Sequence, residues 1–283
     1  MKLGYNRTKK FQTFLFHVVM LAISFIMIYP FLWALCSSFK TSGQIYNFSP
    51  LDLIPKPFTL DNYRRTWEVL PFDMFLKNSL MLSILIPITM ILFSSTAAYA
   101  FARLDFKGKN IIFVLFLATM MVPSHVVLIP NFAIVSKLGW IDHYIALFAH
   151  SLFTGANAFN IFFFKQYFMS IPKDLESAAI IDGCNSAQVF TKIIMPNSKP
   201  AIATVAILSF RSVWNSFLWP MLVINDYDKM TVTVGLQYFK GSVSNQAEIL
   251  AGTVIAIIPI IIVFIAFQKY FINSTVNSGF GGT

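Results

Sequence analysis

Runs of apolar residues long enough to cross a bilayer alternate along this chain with polar connections, three of them long enough to carry function. The runs fall at about Phe11 to Cys36, Asn78 to Ala102, Ile111 to Val135, Ile145 to Phe168, Ala201 to Ile224 and Glu248 to Phe271. Each matches a hydrocarbon core of about 30 Å when helical. The pattern predicts an all-α polytopic membrane protein with six transmembrane helices, read as one domain over residues 1–283, with both termini on the same side. Lys2, Arg7, Lys9 and Lys10 precede the first run. That run is too long for a secretory h-region and lacks a small-residue cleavage site, so it reads as a span and not a signal peptide.

Composition agrees. Of 283 residues, 57% are hydrophobic and 12% charged, and the mean hydropathy is +0.68; ordinary soluble domains carry about 25% charged residues. The formal charge of +9 is a topology signal before it is a partner signal. Twelve Lys and Arg flank the runs on the side of the termini, with the four acids Asp105, Asp174, Glu176 and Asp182. Across the membrane, eight basic residues are spread over longer segments with seven acids, among them Asp142, Asp226 and Asp228. The positive-inside rule therefore places both termini in the cytoplasm of a bacterial-type plasma membrane, and no nucleic acid partner is needed to explain the charge. Cys36 and Cys184 are too few for a disulfide framework and read as packing residues.

The most informative connection is cytoplasmic, from Ser170 to Pro196. It predicts two short helices joined by a tight turn. Pro172 suits the start of the first, and Asp174 and Glu176 put negative charge at the positive end of its dipole. Gly183 is suited to the left-handed residue that ends it, and Ser186 to capping the second. The second helix is expected to run to about Ile194 and stop at Pro196, with Val189, Phe190, Ile193 and Ile194 on one apolar face. That face needs a cover, either the protein's own spans or a partner.

The same stretch resembles the EAA loop of binding-protein-dependent ABC importer permeases. Glu176, Ser177, Ala178 and Ala179 match its opening, Asp182 and Gly183 its turn, and Ile194, Met195 and Pro196 its close, with Met195 where leucine is usual. Further matches follow in order: Ser38 to Thr41, Phe58 to Tyr63, Asn78 and Ser79, Ala97 to Arg103, Val122 and Pro123, Ile129 and Pro130, Leu138 and Gly139, Trp214 to Pro220, and Gln268 to Phe271. They are similar to the carbohydrate subfamily that includes the smaller permease of maltose transporters. The tail from Asn277 to Thr283 departs from that pattern.

The resemblance implies a type I ABC importer transmembrane domain that is not itself an enzyme. Its expected partners are a second homologous permease, two ATP-binding-cassette ATPase subunits that hold ATP and Mg, and an extracytoplasmic solute-binding protein delivering a sugar or oligosaccharide. It assigns ATPase coupling to Glu176, Ala178, Ala179, Asp182, Gly183, Val189, Phe190, Ile193 and Pro196. Consistently, no G-x-x-x-x-G-K-[ST] phosphate loop occurs in the chain.

Outside the loop, Arg211 is a charge within a span and is expected to face the bundle interior or a wet pathway, with Asn215 one turn on and Trp214 as a possible sugar-stacking ring. Tyr227, Tyr238, Lys240 and Gln246 are receptor-facing candidates by location. Glu248 is expected at the mouth of the last span. His17, His125, His143 and His150 show no metal-ligand spacing, and no nucleophile motif occurs. An ion-coupled secondary transporter is the alternative; it would favour internal repeats and acids buried at the midplane, neither of which is evident.

Overall fold

The computed structural model describes residues 2–46, 52–69, 71–242 and 245–279. Every described element is helical. The chain separates into two compact units: residues 1–70 with 238–257, and residues 71–237 with 258–283.

In the first unit, α1 (Lys2–Ser37) is followed by α2 (Ser42–Tyr46) and α3 (Asp61–Val69). From Lys10 to Ser37, α1 is long and apolar enough to span a membrane, yet none of its most apolar window is buried by this chain. Its end is ordered by α3: Asn62 donates to the Ser38 and Lys40 carbonyls at 2.7 and 2.9 Å, and the Ser38 and Tyr63 hydroxyls lie 2.7 Å apart. Ile45, Ala247 and Leu250 form a small core with Trp33 and Ala34.

The second unit is organised by α4 (Phe72–Arg103), a continuous span of 32 residues. It packs mainly against α8 (Gly155–Ser170) and α12 (Lys199–Trp214). Between them run α5 (Lys109–Met120), α6 (Leu128–Lys137) and α7 (Ile145–Phe153). The loop after α8 supplies α9 (Lys173–Ile181), α10 (Ser186–Val189) and α11 (Met195–Asn197). After α12 come α13 (Leu218–Val223), α14 (Val232–Ser242) and α15 (Gln246–Gly279).

Three helices span by length and composition, and up to five if two bent pairs each count as one. The apolar runs expected to be single helices differ from this in three places. The run 111–135 breaks between α5 and α6, where Pro123 disfavours helix at the residue before it. The run 145–168 breaks at Thr154, so that Gly155 can approach α5; a Cβ there would lie 3.0 Å from the Thr119 carbonyl oxygen. The run 201–224 breaks at residues 215–217, between α12 and α13.

Candidate functional site

The loop after α8 is built as two helical arms around one glycine. Lys173 opens α9 directly after Pro172, and Asp174 and Glu176 lie in its first turn. At the other end Gly183 has φ +85°, with its N–H on the Ile180 carbonyl at 3.0 Å; Cys184 then donates to Ala179 at 2.9 Å. Only the dihedral demands glycine, since a Cβ there would meet nothing within 4 Å. The second arm is capped by Asn185, one residue before the expected Ser186. Asn185 Oδ1 accepts from the Gln188 N–H and Gln188 Oε1 accepts from the Asn185 N–H, both at 2.9 Å, closing a capping box.

Nor does this arm stop at Pro196. A π-helical turn, Phe190–Ile194, leads into α11, and the chain bends by 78° only at the start of α12. Pro196 has no N–H to return to the Lys192 carbonyl, and the widened turn before it accommodates that loss. Ser198 Oγ closes the arm by donating to Ile194 at 2.7 Å.

The expected apolar face is largely covered by the protein itself. Ala179, Val189 and Ile194 belong to one core with Ala98, Phe164, Phe168 and Val205, and Phe190 and Ile193 pack against it. The Tyr99 and Phe190 rings lie 5.1 Å apart. What remains open is a different set: Leu175, Ile180 and Ile181, with Ile181 85% exposed, beside the exposed Ala178, Asp182, Gly183 and Pro196. Periodicity marks an apolar face without saying which surface covers it, so these three residues escaped the sequence reading.

A second unanticipated feature is Arg103, at the last position of α4. Its Nη2 donates to the carbonyls of Phe168 and Ile171, each at 2.6 Å, satisfying acceptors at the C-terminal end of α8. Its Nε lies 2.6 Å from Glu176 Oε1, with the two side chains 5% and 13% exposed. The N–H direction misses that oxygen, so the pair is a charge contact and not an aligned hydrogen bond. One guanidinium thus joins the ends of α4 and α8 to the first turn of α9.

The remaining candidates are dispersed. Trp214 is buried and stacked on Phe210 at 5.8 Å and 13°, while Arg211 and Asn215 are exposed. Among the described residues Arg211 has no salt-bridge partner. Tyr227 is exposed in a single 3-10 turn, Tyr227–Lys229, of the second unit. Tyr238 and Gln246 belong to the first unit, and the Lys240 side chain lies outside the described residues. Glu248 is buried at the start of α15, 3.3 Å from Arg65 and accepting from Asn245 at 2.8 Å. Among the described residues no three His, Cys, Asp or Glu side chains are grouped to hold a metal.

Residues 90–276 match the family described as the binding-protein-dependent transport system inner membrane component. The arabinooligosaccharides transport system permease protein AraQ of Halalkalibacterium halodurans is 36% identical over 280 residues, covering 98% of this chain and 99% of that one. The trehalose/maltose transport system permease protein MalG of Thermococcus litoralis is 34% identical over 256 residues, covering 89% and 90%. Among solved structures, a chain of a bacterial ABC transporter involved in the import of the acidic polysaccharide alginate superposes with a TM-score of 0.82 at 26% identity, covering 94% of this chain and 98% of that one.

Proposed function

Since this chain belongs to the inner membrane components of binding-protein-dependent transport systems and is an ABC importer permease, we propose that it carries a sugar or oligosaccharide across the membrane as one half of a permease pair. Its partners in this reading are a second homologous permease, two ATPase subunits that bind ATP and Mg, and an extracytoplasmic solute-binding protein. Both termini are cytoplasmic, which puts the α9–α11 loop on the ATPase side. The carbohydrate assignment draws on relatives named for arabinooligosaccharide and trehalose/maltose transport.

The observation that carries the coupling role is the two-sided character of the loop. One side, through Val189, Ile194 and the Arg103–Glu176 contact, is fixed to the helices that would move. The other side presents Leu175, Ile180 and Ile181 to the surroundings. A ligand-driven shift requires docking that differs in free energy between two states, and a rigid, half-covered lever transmits such a difference. Ala178 and Gly183 belong to the docking side, whereas Ala179, Val189, Phe190 and Ile193 seat the lever.

Purification of the full complex tests this. The expected result is co-isolation with a phosphate-loop ATPase whose hydrolysis rises when loaded receptor is added. Solute uptake by this chain alone, abolished by an ionophore, would overturn the reading in favour of ion coupling. Ala178→Glu should weaken ATPase association without changing membrane insertion, because Ala178 is exposed.

A further inference from the structure

Within the second unit a cavity of about 120 Å³ lies between α4, α7, α12 and α13, large enough for several water molecules. Seven of its lining side chains are hydroxyls, among them Ser79, Ser83 and Ser151. His150 adds an imidazole, and among the described residues the lining includes no Lys, Arg, Asp or Glu.

A serine or threonine in a buried helix ordinarily satisfies its hydroxyl on a carbonyl one turn back. Along α4, Thr89, Ser94 and Ser95 do so, on Ile86, Met90 and Leu92 at 2.7, 2.5 and 3.3 Å. Across the cavity Ser151 donates to Leu147 at 3.0 Å, and Ser79 accepts the Val232 N–H at 2.7 Å. Ser83 breaks the rule. It is 1% exposed, its Oγ has no hydrogen-bond partner, and it lines the cavity. His150 Nδ1 is likewise buried without a partner. The imidazole is stacked on Trp219 at 4.4 Å, so its nitrogen-bearing edge is what remains for polar contact.

Two unsatisfied polar atoms in one hydroxyl-rich cavity are costly in a helix bundle unless something polar enters. We propose that this cavity is a subsite for the hydroxyl groups of the transported solute, and that the solute is a neutral polyol or saccharide and not an acidic one. Ser83 and His150 supply a donor or acceptor each, matching the amphiprotic character of a sugar hydroxyl. An anionic solute would find no cation in the lining to offset its desolvation. The proposal rests on the transport reading above and narrows its solute.

The test uses the full importer in proteoliposomes with loaded receptor and labelled probes: arabinotriose, maltose and diacetylchitobiose as neutral solutes, sn-glycerol 3-phosphate and an alginate oligomer as acidic ones. The wild type should move at least one neutral probe and neither acidic one. Ser83→Ala should lower solute moved per ATP hydrolysed by about three- to tenfold, the size expected for one lost hydrogen bond. Ser83→Leu, which also fills the space, should lower it further. Ser94→Ala, whose hydroxyl is satisfied within its own helix, is the matched control and should stay at the wild-type ratio. Equal ratios for Ser83→Ala and Ser94→Ala would show a site for water only and overturn the subsite, as would uptake of an acidic probe. ATP hydrolysis stimulated by loaded receptor with no uptake of any neutral probe would overturn the neutral-solute subsite, whereas ionophore-sensitive uptake by this chain alone would overturn the transport reading beneath it.

Discussion

Among the described residues, each of the two units contains one arginine–glutamate pair that joins different helices, and the pairs differ in what surrounds them. In the second unit both Arg103 and Glu176 are nearly closed off from solvent. In the first, Glu248 is buried while the Arg65 side chain is 60% exposed. Both acids lie in the first turn of a helix, where the dipole favours negative charge. Glu248 adds a hydrogen bond from Asn245, which also accepts the Ala247 N–H at 3.0 Å and so caps α15. Its charge is met by its own helix, and Arg65 is peripheral. Among the described residues Glu176 has no such local donor, and Arg103 is its principal counter-charge. Burial of the cation, more than distance, decides which pair is structural.

The largest expected effect comes from breaking the buried pair on one side only. Arg103→Ala leaves Glu176 uncompensated and two helix-end carbonyls without donors, a loss of about 3–5 kcal/mol. Thermal unfolding of the complex in detergent measures it, and receptor-stimulated ATP hydrolysis should separate from solute uptake in whatever fraction still assembles. Arg103→Met combined with Glu176→Leu removes the charge problem and should recover part of that loss. Recovery should be incomplete, because the Phe168 and Ile171 carbonyls still lack their donor. Full recovery would mean that those two hydrogen bonds contribute little.

The same substitution in the other pair should be milder. Glu248→Ala removes the acceptor of Asn245 and a dipole charge, but Arg65 is free to rehydrate, so about 1–3 kcal/mol is expected. Arg65→Ala should cost under about 1 kcal/mol, as for other exposed partners. A loss from Arg65→Ala matching that from Arg103→Ala would abolish the distinction drawn between the pairs.

These contrasts also mark what the amino-acid sequence could reveal. The spans α1, α4 and the apolar part of α15 were legible because an unbroken apolar run has few alternatives in a bilayer. Gly183 was legible because a left-handed residue after a helix narrows the choice of side chain. The identity of the cap was not, since Asn185 and Ser186 are both good caps and only the final backbone selects one. Nor was the break at Thr154, which depends on Gly155 meeting the backbone of α5. The Arg103–Glu176 contact joins residues far apart in the chain, beyond the reach of any local pattern. Likewise, the apolar face of Val189, Phe190 and Ile193 was visible, whereas its cover by Phe164 and Phe168 was not. Asn185→Ala, removing the capping box, should cost about 1 kcal/mol and raise amide exchange in α10 without touching the buried pair.

The smallest effect comes from an acid with no arginine partner among the described residues. Asp142, at φ +60°, lies between α6 and α7, and its Oδ1 accepts the N–H groups of Asn225 and Asp226, the latter at 2.9 Å. Its own N–H returns to the Val223 carbonyl at 2.8 Å. The Asn225 N–H above all, then that of Asp226, holds the carboxyl below its ordinary value. A lowered folded-state value means the stabilisation is complete above the usual carboxylate range and is lost as pH falls through the depressed value. Because the group is open to solvent screening, that contribution should stay under about 1 kcal/mol. Amide exchange at Asn225 and Asp226, corrected for the intrinsic pH dependence, should therefore stay protected through the usual carboxylate range and lose protection only as pH falls below it. Asp142→Asn keeps an acceptor oxygen without the titrating charge, so it should flatten that pH dependence while retaining part of the protection. An unchanged pH profile in this variant would assign the effect to another acid, and backbone donors alone would then not suffice to hold a carboxylate charged here.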